Sequence, residues 1–247
     1  MDEHRIPKII HYCWFGHGQM PELAIKCIDS WHKYLPEYEY MLWNEDSFDI
    51  SSNAFVKEAY HQKKYAFVTD YVRLYALFFY GGIYMDTDVE VLRPLDEFLL
   101  YPAFSGFEVA EAIPTGIIGA EKGNSWVQRE LRYYEKQSFI LPNGALNTKP
   151  NVQIITEHAL KLGFIPNNQF QIINGELAIF PKDFFCPKSY IDGGICLTSN
   201  TYTIHHFAGS WKKSDELVVS LNRFFGEKWG NRVYKMKNLI RKVFHKL

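Results

Sequence analysis

The chain has 247 residues, 47% hydrophobic and 17% aromatic, with 27 basic against 28 acidic side chains and a formal net charge of −1. That length suits one domain, or one domain with an appendage, and is enough to bury a sizeable core. The near-neutral balance excludes the global basic field of a nucleic-acid binder, so no nucleic acid is expected as a partner.

Cys13, Cys27, Cys186 and Cys196 are widely spaced without CxxC pairing and read as free buried thiols in a reducing compartment. The start, Met1-Asp2-Glu3-His4-Arg5, lacks a signal-peptide pattern. No apolar run approaches the roughly 20 residues of a spanning helix. The expected location is cytoplasmic, extended to the cytosolic face of a membrane if the tail binds lipid.

Ile6 to Phe15, β-branched and aromatic and ending at Gly16, predicts a first, central strand. Pro21 followed by Leu23, Cys27, Ile28 and Trp31 predicts an amphipathic helix closed by Pro36, and Tyr38 to Trp43 a second strand. Strand, helix and strand joined this briefly form a parallel α/β unit, which binds ligands beyond the carboxyl ends of its strands. Trp14 lies at such an end and reads either as a core side chain or as a stacking surface for a nucleobase. Asn44-Glu45-Asp46 is a polar exit loop, and Asn53 to Lys64 a short surface helix.

Between Tyr65 and Met85 the only charged side chains are Asp70 and Arg73. A buried helix excludes charges unless they are paired or bound, and these two, three residues apart, share one helical face. Gly81-Gly82 ends the helix, Ile83-Tyr84-Met85 reads as a short core strand, and Asp86 and Asp88 follow. On extended backbone, residues i and i+2 point the same way. Two carboxylates therefore converge where an apolar strand leaves the core, and hard divalent cations prefer such oxygen ligands.

Val89 to Leu92 predicts another strand, stopped by Arg93-Pro94. Two short strands follow between Ala103 and Ala120, around Glu108, Glu111 and the turn Pro114-Thr115-Gly116. Asn124 to Lys136 and Val152 to Lys161 have helical spacing, and Pro142 to Pro150 between them reads as a long loop of the binding kind. Phe164 to Ser199 is a series of short strands and turns. In Thr201 to Lys213, His206 is followed by a small-residue turn, Ser210, Trp211 and Lys212, whose donors suit a metal-bound diphosphate.

From Lys228 to Leu247 there are seven basic residues and no acid, with an apolar stripe through Val233, Met236, Ile240, Val243, Phe244 and Leu247. This tail, with Lys235, Lys237, Arg241, Lys242 and Phe244, reads either as a helix docked on the domain or as one lying on an anionic membrane surface. The expected division is a catalytic domain over 1–225 and a basic amphipathic helix over 226–247.

The combination IPKIIHYCW, then FVTDYVRLYALFFYGGIYMDTDVEVLRPLD, then IHHFAGSW resembles glycosyltransferase family 32. These DXD-motif enzymes include bacterial polysaccharide glycosyltransferases and yeast-type mannosyltransferases, and the glucosylating toxins share the central motif. The resemblance covers residues 6 to 213 in three ordered blocks. It implies a GT-A fold, an α/β domain with a Rossmann-like, mostly parallel central sheet, a nucleotide-sugar donor, a divalent Mn2+ or Mg2+ ion and retention of anomeric configuration.

Carried onto this sequence, Asp88 looks like the direct metal ligand, and Asp86 is similar to the residue on the ribose and metal side. Asp70 and Arg73 resemble the pair that grips hydroxyls of the donor sugar. Trp14 resembles the base-stacking aromatic, and Tyr84 falls in the donor-binding set. His206, in a His-x-x-Gly pattern, is expected ahead of His205 as a third metal ligand. Ser210, Trp211 and Lys212 resemble donor-phosphate contacts. Thr115, Gly116, Asn147 and Asn151 are the acceptor-side candidates, although Thr148-Lys149-Pro150 departs from the family's usual Gly-Pro turn.

The expected activity is retaining transfer of a hexose, from a UDP-sugar by family frequency, to a lipid-linked glycan or glycolipid in surface polysaccharide synthesis. The alternatives are a toxin-like protein glycosyltransferase, a nucleotide-sugar or carbohydrate-binding module without catalysis, and a metal-dependent nuclease or phosphatase. Sugar, linkage and oligomeric state carry no sequence signal.

Overall fold

The computed structural model describes residues 4–108, 112–189 and 193–208. In chain order they form β1 (Ile9–Cys13), α1 (Glu22–Tyr34), β2 (Glu39–Trp43), α2 (Ala54–His61), α3 (Tyr65–Tyr80), β3 (Gly82–Met85) and β4 (Val89–Val91). β5 (Ala103–Gly106), β6 (Ile117–Ala120), α4 (Ser125–Glu135), α5 (Asn151–Lys161), β7 (Gln171–Ile173), β8 (Leu177–Phe180), α6 (Lys182–Phe185) and β9 (Thr203–His205) follow. The chain divides into two compact units, one of Met1–Pro187 with Leu197–His206, the other of Lys188–Cys196 with Phe207–Leu247. The described part of the second includes a Lys188 to Ile195 antiparallel bridge closed by Ser189 N–H on the Gly194 carbonyl. The tail from Lys235 to Phe244, and Ser210, Trp211 and Lys212, lie outside the described residues.

The first unit is built on a seven-stranded sheet in the order β2-β1-β3-β6-β5-β8-β7. β1 runs parallel to β2 and β3, and β5 parallel to β8, while β6 opposes β3 and β5 and β7 opposes β8. Five of the seven strands therefore share one direction, the mixed α/β arrangement expected of a GT-A fold. β1 is interior but one place from the edge strand β2, and the middle position belongs to β6. A strand opening the chain is central only if later strands add to both sides, and here all but β2 add to one side. β4 and β9 form a separate antiparallel ribbon.

Both faces of the sheet are covered, and β3 shows how its pattern serves that. Ile83 and Met85 join a cluster with Trp31, Phe98 and Phe185, whereas Tyr84 joins the one containing Val72, Leu77 and Trp126. This is the period-2 alternation of a strand with an apolar layer on each side. α3 supplies much of the second layer, with nine buried residues from Phe67 to Leu77. Even α2, expected to lie on the surface, buries Phe55, Val56 and Ala59.

Gly82 joins the helix to the strand at φ +115°, and a Cβ there would lie 2.5 Å from the Ile9 carbonyl oxygen. Only glycine meets both conditions. Beside it His11, fully buried on β1, donates from Nε2 to the Gly81 carbonyl at 2.7 Å and accepts at Nδ1 from Trp43 Nε1–H at 3.1 Å. An indole N–H can only donate, so the neutral tautomer is built in, and burial lowers the His11 pKa to about 4.

Candidate active site

β1, β2, β3 and β5 end on one edge of the sheet, and each delivers a polar group there: Trp14 after β1, Glu45 after β2, Asp86 after β3 and Glu108 after β5. Ligands of open α/β sheets bind beyond such ends.

The loop after β1 is held by its neighbours. Trp14 Nε1–H donates to the Gly18 carbonyl at 2.6 Å, Gly16 N–H to Glu45 Oε1 at 2.6 Å, and the Tyr60 hydroxyl to the same oxygen at 2.9 Å. Gly16 has φ +95°, and a Cβ would lie 2.4 Å from the Tyr65 ring, so the loop lies flat on the first residue of α3. Partial burial opposes ionisation of Glu45, but the Gly16 N–H and the Tyr60 hydroxyl hold its carboxyl below the usual range. Sequence reasoning saw Glu45 only as part of a polar exit loop.

Asp86 and Asp88 do converge, though through a turn and not through extended backbone. Val89 N–H donates to the Asp86 carbonyl at 3.0 Å and Asp86 N–H to the Gly116 carbonyl at 2.8 Å, which curls the Asp-Thr-Asp segment at the strand end. Tyr84 lies two residues before Asp86, and its hydroxyl donates to Asp86 Oδ1 at 2.7 Å. The ribbon supplies the third member: Val89 pairs with His205, and His205 Nε2 lies 3.4 Å from Asp88 Oδ1. One ligand atom each from Asp86, Asp88 and His205 all lie within 4.8 Å of one another.

His206, expected from the sequence as the third ligand, is directed to Glu90, with Nε2 2.8 Å from Oε2. Neighbouring residues on extended backbone face opposite ways, so only one of the two histidines can face the aspartates. Gly116 makes room for the one that does, since a Cβ there would lie 2.8 Å from His205 Cε1. Burial would lower the His205 pKa, but Asp88 and the Cys186 thiol beside it hold it well above the usual imidazole range. A positive charge is favoured at this point, and two carboxylates with an imidazole suit a divalent cation.

Arg73 connects this cluster to α3. Nη2 lies 3.3 Å from Asp70 Oδ1 and 3.5 Å from Asp86 Oδ1, Nε–H donates to the Thr69 carbonyl at 3.3 Å, and Nη1–H donates to the Thr115 carbonyl. Its Cζ sits 4.6 Å from the centre of the Tyr84 ring. With 6% of its side chain exposed, the guanidinium is occupied by the protein. It was expected to grip a sugar together with Asp70. In the structure its Nη2 lies between two carboxylates, Asp70 and Asp86.

The acceptor-side candidates divide. Thr115 gives its carbonyl to Arg73, and Asn151 donates from Nδ2 to the Asp70 carbonyl at 3.3 Å, so both buried residues brace the charged pair from behind. Asn147 hydrogen-bonds within its own loop, through N–H to the Phe139 carbonyl at 2.7 Å. Gly116 is the acceptor of Asp86 N–H already described.

The aspartate cluster at the carboxyl edge of the sheet lies where open α/β sheets bind their ligands. Residues 21–104 match the family described as "Glycosyltransferase sugar-binding region containing DXD motif". Similar chains include inositol phosphoceramide mannosyltransferase 3 of Schizosaccharomyces pombe, 33% identical over 138 residues that cover 54% of this chain and 38% of that protein. Mannosyl phosphorylinositol ceramide synthase CSH1 of Saccharomyces cerevisiae is 31% identical over 150 residues, 55% of this chain and 38% of that protein. The chain spans well under half the length of these curated relatives. Among solved structures, one titled PaToxG Glycosyltransferase aligns over 63% of this chain and 69% of its own, at 20% identity and a TM-score of 0.45. No helix among the described residues is long and apolar enough to cross a membrane.

Proposed function

We propose that the chain transfers a hexose from a nucleoside-diphosphate sugar to a hydroxyl of a lipid-linked glycan or glycolipid, with a divalent cation held by Asp86, Asp88 and His205. The observation that carries this reading is the convergence of those three side chains at the carboxyl edge of the sheet. When bound, the cation supplies Lewis-acid neutralisation of the charge that grows on the leaving diphosphate. The imidazole in the set favours Mn2+ over the harder Mg2+.

The chain's own residues do the rest by position. Trp14 spends its N–H inside its loop, so what it offers a nucleobase is the face of its ring, and Glu45 keeps that loop in place. Asp70 offers carboxylate oxygen to sugar hydroxyls, and Arg73 holds Asp70 and Asp86 apart at a fixed angle. The Tyr84 hydroxyl occupies one oxygen of Asp86 and leaves the other for the ligand. Retention, the diphosphate contacts of Ser210, Trp211 and Lys212, and attachment of the tail through Lys235, Lys237, Arg241, Lys242 and Phe244 to an anionic cytosolic membrane face complete the reading on the family resemblance and the tail's own pattern. The lipid-linked acceptor is favoured by relatives whose names speak of inositol phosphoceramide.

A panel of labelled nucleotide sugars, incubated with Mn2+ and a lipid extract, tests this. Label should pass into lipid from one donor, and Asp88→Asn should abolish the transfer. Label in protein would favour the toxin-like alternative, and no turnover of any donor would contradict the proposal.

A further inference from the structure

Glu108 and Cys186 take no part in the proposed reaction, yet both lie beside His205, the ring that also faces Asp88. Glu108 Oε2 lies 3.8 Å from His205 Nδ1, and Asp88 Oδ1 lies 3.4 Å from Nε2. The two ring nitrogens thus face two different carboxylates. One ligand atom each from Glu108, Cys186 and His205 all lie within 4.8 Å of one another. The fold holds this second set firmly. Cys186 is completely buried at the end of α6, where its N–H donates to the Lys182 carbonyl at 2.9 Å. Thr203 Oγ1–H ties β9 to α6 by donating to the Phe185 carbonyl at 2.9 Å. Glu108 is fixed by its own N–H on the Ala112 carbonyl at 2.9 Å, and 11% of its side chain is exposed.

We propose that Glu108, Cys186 and His205 form a second cation site, selective for thiophilic divalent ions of the Zn2+ type, whose occupation takes His205 away from Asp86 and Asp88. A thiolate, a carboxylate and an imidazole are the donors of a tetrahedral zinc site with one position left open. The DXD set has no sulfur and suits a harder ion, so the two sets differ in kind as well as in place. On binding, a metal–sulfur bond forms, the thiol proton leaves to water, and nothing is oxidised or reduced. The ring cannot be drawn fully toward both sets at once, so Zn2+ should expel Mn2+. That consequence rests on the proposed Asp86, Asp88 and His205 site, whereas the second site stands without it.

Cobalt(II) is the probe, because a thiolate–Co2+ bond absorbs in the near ultraviolet and oxygen or nitrogen ligands do not. The full chain carrying Cys196→Ser, which removes the exposed thiol, should develop this band at one equivalent of Co2+ and lose it when Zn2+ is added. Cys186→Ser should abolish the band and Cys27→Ser should keep it, with circular dichroism confirming the fold. If Cys186→Ser does not fold, Glu108→Gln serves in its place and should weaken Co2+ binding about tenfold or more. No thiolate band, or one that survives Cys186→Ser, overturns the site. Release of protein-bound Mn2+ by Zn2+, read by electron paramagnetic resonance without any sugar transfer, supports the shared histidine. Both ions bound together, with the Co2+ band intact, overturns the competition.

Discussion

Arg73 Nη2 stands 3.5 Å from Asp86 Oδ1, so a charge on the buried helix α3 is in direct electrostatic contact with the motif that ends β3. The same nitrogen serves Asp70 at 3.3 Å. Arg73→Met would leave two carboxylates facing each other without compensation, and losing one partner of a buried pair costs about 3–5 kcal/mol. Urea unfolding should show a loss of that order. Arg73→Lys should recover only part of it, because one ammonium cannot reach Thr69, Thr115 and both carboxylates. Full recovery by lysine would mean that the fork geometry is immaterial.

His11 should make the protein sensitive to mild acid. Its folded-state pKa of about 4 lies below the ordinary 6.5, so as pH falls through 6.5 the unfolded chain takes up a proton first. Stability is fully present above about pH 6.5 and is lost as pH falls toward 4. Linkage over that interval amounts to about 3 kcal/mol, of which about 2 kcal/mol should be gone by pH 5. Unfolding by urea at pH 7.5 and pH 5 measures the difference, and histidine NMR should show the His11 ring still neutral at pH 5.

Gly116→Ala isolates the placement of His205. The added Cβ would fall 2.8 Å from the imidazole and must push it off the aspartates. Mn2+ affinity should drop about tenfold, the scale seen when a metal ligand loses its support, while the unfolding midpoint moves little. An unchanged Mn2+ titration would mean that the ring does not contribute.

Glu45 is expected to act on donor binding through the loop that carries Trp14. Glu45→Ala removes the acceptor of Gly16 N–H and of the Tyr60 hydroxyl, so KM for the nucleotide sugar should rise about tenfold with kcat nearly constant. Glu45→Gln keeps an acceptor oxygen and should restore most of the loss. Equal effects on kcat would show a different role.

Much of this arrangement was legible in the residues. Helix α3 announced itself through two charges in an apolar run closed by two glycines, and the parallel β1-α1-β2 unit through its short connection. What escaped were relations between distant segments. The aspartates converge through a turn whose hydrogen bond to the Gly116 carbonyl involves a residue thirty positions on. The choice between His205 and His206 depends on the register of β9 against β4, which local pattern does not reveal. Arg73 and Asp70 were recognisable as a pair, but their hydrogen bonds to the Thr115 carbonyl and from Asn151 join segments far apart in the chain. Cys186 looked like an ordinary buried thiol because nothing nearby in sequence shows that Glu108 and His205 surround it.

The site's composition is tested most directly by Mn2+ binding to the full chain, followed by electron paramagnetic resonance, for His205→Ala beside His206→Ala. His205→Ala should lose most of the bound ion, as Asp88→Asn should, while His206→Ala should titrate like the unaltered protein. Binding lost in His206→Ala and kept in His205→Ala would contradict a cation site made of Asp86, Asp88 and His205.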